Sequence, residues 1–410
     1  MRIAFADLVF AWPPTGGAQA DLFHVMAGLH RLGYEVHLFA ASYDFLWRFG
    51  TFEPETLPFP STRIPFTRRT YTPRELAKTF RRAIDAWQPD IVFIGLGRTL
   101  KPYLIDALAH RPILSRYYMY EHLCIRDFTL FYDEETCPND FFRTPDACRR
   151  CAWKAWKRET LRGGLTTYAD EYHRAGAHTR AYHRLFVSSM GRVRTAIVSN
   201  ELARQRLQGH SRDVRIIPGG VHIHEFAARP EPRQEPGKRK VILMSGRVDD
   251  SRKGVDVLLA AAYCLSKTRD DFEVWVTHSE PIARFPWLRS TGFIPHSQVP
   301  ELYRQADICV VPSLWDEPFG LVAVEAMAAG LPVCASRCGG LAGIVRHGET
   351  GYLFASGDSA ELALYLDRLL NDPELRRTMG EAGRRRAEME YDWNKILTRH
   401  YVPLIEETVL

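Results

Sequence analysis

The most informative segment of this chain runs from Ile308 to Gly330, with the sequence ICVVPSLWDEPFGLVAVEAMAAG. It begins with a short apolar run that ends at Pro312, which predicts a buried strand. A turn-rich loop follows, and the residues rich in Ala, Val and Met after it predict a helix closed by Gly330. Strand, loop and helix in this order form half of a βαβ unit, so we expect an α/β protein.

Two glutamates lie in this segment with seven residues between them, Glu317 in the loop and Glu325 in the helix. An ionised carboxylate among apolar helix neighbours is costly unless it is paired or hydrogen-bonded, so Glu325 needs a partner. Sugar hydroxyls suit this role, because a carboxylate accepts hydrogen bonds from two adjacent hydroxyls at once. The start of the helix presents free backbone N–H groups that suit an anion or a polar ligand edge. The residues at this start are Pro318, Phe319, Gly320 and Leu321.

A second loop, Ser245 to Gly254 with the sequence SGRVDDSRKG, lies between a predicted strand and a predicted helix. It carries Arg247 and Lys253, and Arg252 is a further candidate. A guanidinium, an ammonium and a helix N-terminus that converge in one place form a pocket for a diphosphate.

These two loops resemble the retaining glycosyltransferases of family four, also called glycosyltransferase group 1, which have the GT-B fold. The resemblance covers nearly the whole chain and is most specific from about Ser245 to Phe354. It implies an α/β protein of two doubly wound, Rossmann-like domains that face a central cleft. It also implies roles for the charged residues: Glu317 faces the donor sugar, Glu325 binds the donor ribose, and Arg247 and Lys253 hold the diphosphate.

The resemblance adds candidates outside these loops. Gly16 and Gly17, between the first predicted strand and helix, correspond to a glycine-rich loop that meets the donor, although a plain strand-to-helix turn is the alternative. His122 follows a predicted strand and corresponds to a histidine that contacts the donor sugar, or is a structural histidine. Phe293 and Ile294 lie in a region that resembles the one that contacts the donor base.

The predicted domain boundaries follow from the α/β alternation and from a linker rich in proline and charge. We expect an N-terminal acceptor-binding domain over residues 1–222, with a cysteine-containing insertion at about 119–160. A linker over 223–239 leads to a nucleotide-sugar-binding domain over 240–390. In GT-B enzymes the last helix, here 391–410, crosses back to the first domain.

The inserted region contains Cys124, Cys137, Cys148 and Cys151. Four thiolates suit a tetrahedral structural zinc, and two of these residues have the spacing that such sites favour; free or disulfide-forming thiols are the alternative. The chain has no segment as apolar as a transmembrane helix and no recognisable nucleic-acid-binding motif. Its net charge of +5 permits attraction to anionic substrates or lipids. We expect a cytoplasmic protein, with peripheral contact to the inner face of the membrane as a further interpretation of its basic and aromatic helices.

The sequence thus predicts a retaining glycosyltransferase of the hexosyl or N-acetylhexosaminyl type. It would move a sugar from a UDP- or GDP-linked donor to a hydroxyl of a glycan, a lipid-linked acceptor or a small molecule, in the synthesis of a glycan, a glycolipid or a cell-envelope polysaccharide. No cofactor is required, since Arg247, Lys253 and the helix N-terminus neutralise the diphosphate. The alternatives are a nucleotide-sugar epimerase or hydrolase on the same scaffold, and a non-catalytic subunit of glycan assembly.

Overall fold

The structure of the protein is a computed structural model. It describes residues 1–45, 47–132, 135–161, 167–226, 239–278, 285–292, 294–295 and 298–409, and for 44–45, 47–49, 159–160 and 167–168 it describes the backbone alone.

The chain divides into two compact units. The first contains residues Met1–Leu130, Cys137–Pro218 and Leu397–Leu410, and the second contains Phe131–Thr136 and Gly219–Ile396. The chain thus passes from the first unit to the second between Pro218 and Gly219, and the C-terminal residues return to the first.

The strands up to Pro218 are β1 (Arg2–Asp7), β2 (Glu35–Phe45), β3 (Trp47–Phe49), β4 (Ser61–Phe66), β5 (Ile91–Ile94), β6 (Ile113–Arg116), β7 (Phe131–Tyr132), β8 (Glu135–Thr136), β9 (Thr195–Val198) and β10 (Val214–Ile216). The first unit has a sheet of order β10-β9-β6-β5-β1-β2-β3, and β4 also pairs with β2. Its pairs are parallel except for β2 with β3. Strands β7 and β8 form a separate antiparallel hairpin.

The helices of the same part of the chain are α1 (Gly17–Arg31), α2 (Pro73–Trp87), α3 (Lys101–Leu108), α4 (Pro145–Leu161), α5 (Thr167–Arg174), α6 (Arg180–Met190) and α7 (Glu201–Leu207). Helix α2 illustrates why they form where they do. Its Thr72 cap accepts a hydrogen bond from the backbone of Glu75, and Leu76, Phe80 and Ile84 are buried at helical spacing. The basic residues of this helix therefore lie around a stripe that is already packed in the unit.

The second unit contains the strands β11 (Lys240–Met244), β12 (Phe272–Val276), β13 (Leu288–Ser290), β14 (Ile308–Val311), β15 (Val333–Ser336) and β16 (Gly351–Phe354). They form a parallel sheet of order β13-β12-β11-β14-β15-β16. The helices after residue 218 are α8 (Val255–Leu265), α9 (Val299–Gln305), α10 (Leu321–Ala328), α11 (Leu341–Ile344), α12 (Ser359–Asn371), α13 (Pro373–Arg386), α14 (Trp393–Ile396) and α15 (Val402–Val409).

Alternate side chains of the strands build a core on each face of the second sheet. On β11, Val241 and Leu243 join the core that α9 and α10 cover, while Ile242 and Met244 join the core that α8 and α12 cover. This follows from the period of two along a strand, and it explains why the strands are apolar throughout.

The C-terminal residues differ from the single helix expected over 391–410. Helix α14 is followed by π-helical turns over Leu397–Tyr401 and then by α15. Within one continuous α-helix Pro403 would lack the N–H that bonds to the preceding turn, and its position in the first turn of α15 avoids that loss. Within the described ranges, no helix combines the length and the apolar composition that a membrane span requires.

Candidate active site

Glu317 is the most heavily hydrogen-bonded of the predicted site residues. It follows β14, is 7% exposed, and its Oε1 accepts hydrogen bonds from Lys253 Nζ at 2.6 Å, Ser313 Oγ at 2.5 Å and Trp315 Nε1 at 3.1 Å. Three hydrogen-bond donors, one of them charged, replace the water molecules that would solvate the carboxylate if it were exposed. The structure thus brings Glu317 and Lys253, 64 positions apart in the sequence, into direct contact.

The loop that carries Lys253 is held against the loop of Glu317 by its backbone. Gly254 has a φ of +75°, and a Cβ there would lie 1.9 Å from the carbonyl oxygen of Pro312, so this position requires glycine. Leu314 N donates to the carbonyl oxygen of Arg252 at 2.8 Å. These contacts place the ammonium of Lys253 beside the carboxylate before any ligand binds.

The other two cations of this loop differ in what they contact. The guanidinium of Arg252 pairs with Asp250 through two hydrogen bonds of 2.9 and 2.8 Å. Arg247 is exposed, and among the described residues its side chain makes no ion pair or hydrogen bond. Its neighbour Gly246 lies at the first turn of α10, since a Cβ there would be 3.3 Å from Val322. Arg247 is therefore the cation whose donors remain available to a ligand near that turn.

Glu325 has a hydrogen-bond partner, as a buried carboxyl group requires. It is 7% exposed, and its Oε2 accepts a hydrogen bond from the hydroxyl of Tyr303 at 3.0 Å. Burial raises the pKa of Glu325 to about 7, although the hydrogen bond from Tyr303 opposes this shift. The carboxyl group therefore changes its charge near neutral pH.

Helix α10 begins directly after the loop of Glu317. Gly320 precedes it with a φ of +130°, and no side chain caps the helix. Ala323 is the first residue whose N–H bonds back to Gly320, which leaves the N–H groups of Leu321 and Val322 directed out of the helix start. This is the geometry of an anion-binding helix N-terminus.

A pair of glycines before α11 supports the same loop from behind. A Cβ on Gly339 would lie 2.3 Å from the carbonyl oxygen of Glu317, and one on Gly340 would lie 2.3 Å from that of Phe319. The N–H of Gly340 donates to Glu317 O at 2.7 Å. The loop that contains Pro318 and Phe319 thus packs so closely against this turn that only glycine fits at both positions of the turn.

The two residues expected at the donor base are less informative. Phe293 lies outside the described residues. Ile294 is half-buried and packs against the same core cluster as Phe319, Leu321 and Val322. Its contact with a base stays a prediction.

In the first unit, Gly16 and Gly17 occupy the start of α1. Gly16 has an extended backbone, with a φ of −170°, and a Cβ there would meet nothing within 4 Å. Neither backbone strain nor close packing requires a glycine at this position. The approach of a ligand to Gly16 and Gly17 stays a prediction. Gln19 fixes the preceding loop, since it donates to Val9 O at 2.8 Å and accepts from Thr15 N at 2.7 Å.

His122 follows β6 and is 1% exposed. Neither ring nitrogen makes a hydrogen bond of ordinary geometry in the described part of the chain. Burial lowers the pKa of His122 to about 3, and the nearby charge of Lys101 lowers it further, so the ring is neutral. A neutral imidazole offers one donor and one acceptor to a ligand.

Lys101 and Glu121 are polar residues of this region that the sequence analysis missed. Lys101 is buried, donates to Arg116 O at 2.5 Å and lies 3.8 Å from Glu121 Oε1. Burial lowers the pKa of Lys101 to about 8. Their positions after β5 and β6 could have identified them, because the carboxyl ends of neighbouring parallel strands meet at one edge of the sheet.

The zinc site suggested for the inserted cysteines stays a prediction. Cys124, Cys137, Cys148 and Cys151 are all unbridged. In the described parts of the chain, no three His, Cys, Asp or Glu side chains lie close enough together to hold a metal ion. Helix α4 brings Cys148 and Cys151 onto adjacent turns, and Cys124 and Cys137 lie near enough for their charges to act on the thiol of Cys148, whose pKa is raised mainly by burial.

Comparison with known proteins places this geometry in context. Residues 288–386 match the family described as glycosyl transferases group 1. The phosphatidyl-myo-inositol mannosyltransferase of Mycobacterium leprae is 32% identical over 222 residues, which are 52% of this chain and 59% of that protein. The D-inositol 3-phosphate glycosyltransferase of Arthrobacter sp. is 34% identical over 200 residues, 44% of this chain and 47% of that protein. The chain thus spans about half the length of the curated relatives that it matches.

Solved structures match the fold over nearly the whole length of the chain. Sucrose-phosphate synthase from Thermosynechococcus elongatus has a TM-score of 0.67 at 21% identity, with 98% of this chain and 99% of that one covered. HepE from Anabaena, solved with UDP and glucose, has a TM-score of 0.66 at 19% identity, with 98% and 99% covered. These likenesses confirm the predicted fold class of two Rossmann-like domains.

Proposed function

Because this chain is a group 1 glycosyltransferase homologue with the GT-B fold, like those of family four, we propose that it transfers a glycosyl group from a nucleoside diphosphate sugar to an acceptor hydroxyl with retention. The observation that carries this proposal is the contact of 2.6 Å between Lys253 and Glu317, beside the helix that bears the buried Glu325. Lys253, which suits a phosphate, and Glu317 and Glu325, which suit sugar hydroxyls, then lie on neighbouring βα segments of one unit.

The donor would bind to the second unit. Arg247 and Lys253 would contact the diphosphate together with the N–H groups at the start of α10. An ammonium has three donors, so Lys253 can keep its bond to Glu317 while it donates to a phosphate oxygen. Glu317 would face the sugar, and Glu325 would accept hydrogen bonds from the ribose hydroxyls.

The reaction would proceed on one face of the sugar. The bond from the anomeric carbon to the diphosphate oxygen breaks, and a bond from the acceptor oxygen to that carbon forms on the same side. The acceptor proton passes to the departing diphosphate. Arg247 and Lys253 stabilise the negative charge that grows on the leaving group, an interaction that is stronger in the transition state than in the ground state.

The first unit would contribute the glycine turn at Gly16 and Gly17 and the neutral ring of His122 to the recognition of sugar hydroxyls. The acceptor would also bind mainly to this unit. A neutral imidazole suits this role because it both donates and accepts hydrogen bonds at every pH above its lowered pKa.

The donor class is a hexose or N-acetylhexosamine linked to UDP or GDP, and the acceptor is a glycan, a lipid-linked molecule or a small molecule. The names of similar proteins support this range: one relative is a mannosyltransferase acting on phosphatidyl-myo-inositol, and one structural neighbour was solved with UDP and glucose.

The experiment is a calorimetric titration with UDP and GDP, followed by nucleotide-release assays with the corresponding sugars. We expect binding of one nucleotide and release that depends on an added acceptor. Release or isomerisation of equal rate without acceptor would indicate a hydrolase or an epimerase. Absence of binding to both nucleotides would contradict the proposal.

Peripheral membrane contact is a further part of the proposal and concerns α4. Trp153 on this helix is 44% exposed, and Lys154 and Lys157 are also exposed. Tryptophan beside lysine suits the interface of an anionic lipid surface. We expect co-sedimentation with vesicles that contain anionic phosphatidylglycerol and weaker co-sedimentation of a Trp153→Ala variant; equal recovery of both proteins would contradict this contact.

A further inference from the structure

The carboxyl group of Glu325 lies among apolar side chains, and besides burial the negative charge of nearby Glu225 raises its pKa. Its neighbours on α10, Val324 and Ala326, are fully buried, and the helix packs in the core on one face of the second sheet. Glu325 Oε2 accepts a hydrogen bond from the hydroxyl of Tyr303. In the described part of the chain Oε1 makes no hydrogen bond and is the oxygen left for a ligand.

Tyr303 joins three parts of the second unit through one hydroxyl. The residue lies near the end of α9 and is fully buried. Its oxygen is 3.0 Å from Glu325 Oε2, 2.7 Å from Ser245 Oγ and 3.2 Å from the carbonyl oxygen of Val322. The phenol thus contacts the acid of α10, the first turn of the same helix and the residue that starts the loop of Arg247.

The direction of these hydrogen bonds depends on the charge of Glu325. A phenol has a single proton to donate. When the carboxylate is ionised, the Tyr303 hydroxyl donates to it and accepts from Ser245. When Glu325 is protonated, it can donate to Tyr303, which then donates to Val322 O. The two arrangements present different hydrogen-bonding groups to a ligand.

We propose that Tyr303 is a positioning residue for the nucleotide, which acts by holding Glu325 ionised and oriented so that Oε1 accepts hydrogen bonds from the ribose hydroxyls. This inference rests on the proposed function. It assigns a specific task to a buried tyrosine outside the residues proposed to contact the diphosphate and the transferred sugar.

The test is a double-mutant cycle measured by calorimetry with UDP or GDP, whichever the wild-type protein binds. The variant Tyr303→Phe keeps the ring and removes the hydroxyl. We expect binding about tenfold weaker at pH 7, because a hydrogen bond to a charged group is lost. In a Glu325→Gln background the same substitution is expected to have no further effect, because the residue through which Tyr303 acts no longer carries charge.

The pH profile gives a readout that a purely structural role would not change. Binding strengthens as pH rises and Glu325 ionises, and the hydrogen bond from Tyr303 lowers the pKa of that group. The midpoint of the profile should therefore move to higher pH in Tyr303→Phe. Tyr352→Phe is the matched control: Tyr352 is another buried tyrosine of the second unit, packed on Tyr365 with a centroid distance of 4.4 Å, and its variant should bind as the wild type does.

Unchanged binding in Tyr303→Phe, or an equal loss in both backgrounds, would overturn the inference, since Tyr303 would then be a packing residue. Wild-type protein that binds neither nucleotide would instead overturn the proposed function. If Tyr303→Phe does not fold, Ser245→Ala takes its place, because it removes the donor to Tyr303. Its smaller loss should also disappear in the Glu325→Gln background, and a loss that persists there would contradict the proposed role.

Discussion

Glu317 and Glu325 belong to one βα segment, yet their surroundings differ. Glu317 accepts hydrogen bonds from an ammonium, a hydroxyl and an indole. Glu325 lies in the core beside a phenol, and burial raises its pKa to about 7. The first carboxylate is therefore already compensated in the folded chain, whereas the second benefits most from the hydroxyls of a ligand.

Arg247 allows a direct test of the electrostatic role. We expect Arg247→Ala to reduce kcat by about 100-fold, because it removes a donor aimed at charge that develops in the transition state. Since Arg247 is exposed, the melting temperature should stay close to that of the wild type. Arg346→Ala is the control, because this arginine pairs on the surface with Glu349. Turnover of Arg247→Ala equal to that of the control would exclude the role.

Glu325 predicts an unusual pH dependence of stability. Its folded pKa of about 7 lies above the ordinary value of 4.5, so the folded state binds the proton more tightly and loses stability as pH rises from about 4.5 to 7. The Glu325→Gln variant avoids this loss. We expect its free energy of unfolding to exceed that of the wild type at pH 8 by up to about 3 kcal/mol, and to match it near pH 4.5.

Denaturant unfolding at both pH values measures this difference. Nucleotide binding should be weakened in the same variant, because the amide lacks the charge that strengthens the bonds from the ribose hydroxyls. A variant that is less stable than the wild type at both pH values would contradict the stated cause.

At the scale of elements, the site depends on loops that pack backbone against backbone. The turn at Gly339 and Gly340 contacts the chain between Glu317 and Phe319, and Gly254 contacts Pro312 O. Close packing of this kind fixes the carboxylate and the helix start more firmly than side-chain contacts would, because the backbone cannot change rotamer.

Gly340 and Gly343 make a matched pair for this claim. A Cβ on Gly340 would lie 2.3 Å from Phe319 O, whereas one on Gly343, in the adjacent α11, would meet nothing within 4 Å. We expect Gly340→Ala to lower the free energy of unfolding by about 1–3 kcal/mol and to reduce turnover more than tenfold. Gly343→Ala should leave both nearly unchanged. Similar values for the two variants in thermal unfolding and nucleotide release would refute the packing argument.

At the scale of the whole molecule, each unit has its own sheet and core, and the C-terminal residues complete the first. Tyr401 is fully buried there, and Arg215 pairs with Glu407 of α15 at 2.6 Å. The end of the chain therefore stabilises a unit whose other residues lie at the beginning of the sequence.

The variant Tyr401→Ala tests whether nucleotide binding by the second unit is independent of the stability of the first. The large cavity should lower the stability of the first unit by about 3–5 kcal/mol. The second unit contains the residues assigned to the nucleotide, so calorimetry should still detect its binding with near wild-type affinity. Loss of nucleotide binding at a temperature where the variant remains folded would show that the units do not act independently.

Local patterns along the chain were sufficient to predict the fold class, because apolar strands, helix starts and glycine turns follow from the conformations and burial of neighbouring residues. The same patterns identified Glu317, Glu325, Arg247 and Lys253 as candidates, since their residue types and spacing resemble a known family. The prediction for Phe293 falls outside the described residues. The zinc site stays a prediction, because the spacing of cysteines in a sequence does not fix whether their thiols converge on a metal ion.

Which of these residues contact each other was decided by tertiary packing alone. Tyr303 and Glu325 are 22 positions apart and Lys253 and Glu317 are 64 apart, so neither pair appears in any local pattern. Lys253 meets Glu317 because parallel strands β11 and β14 are neighbours and bring the loops at their carboxyl ends together. Tyr303 meets Glu325 because α9 and α10 pack side by side in the core on one face of the same sheet. Burial, and with it the raised pKa of Glu325, likewise depends on every element that packs around the site and therefore belongs to the folded chain.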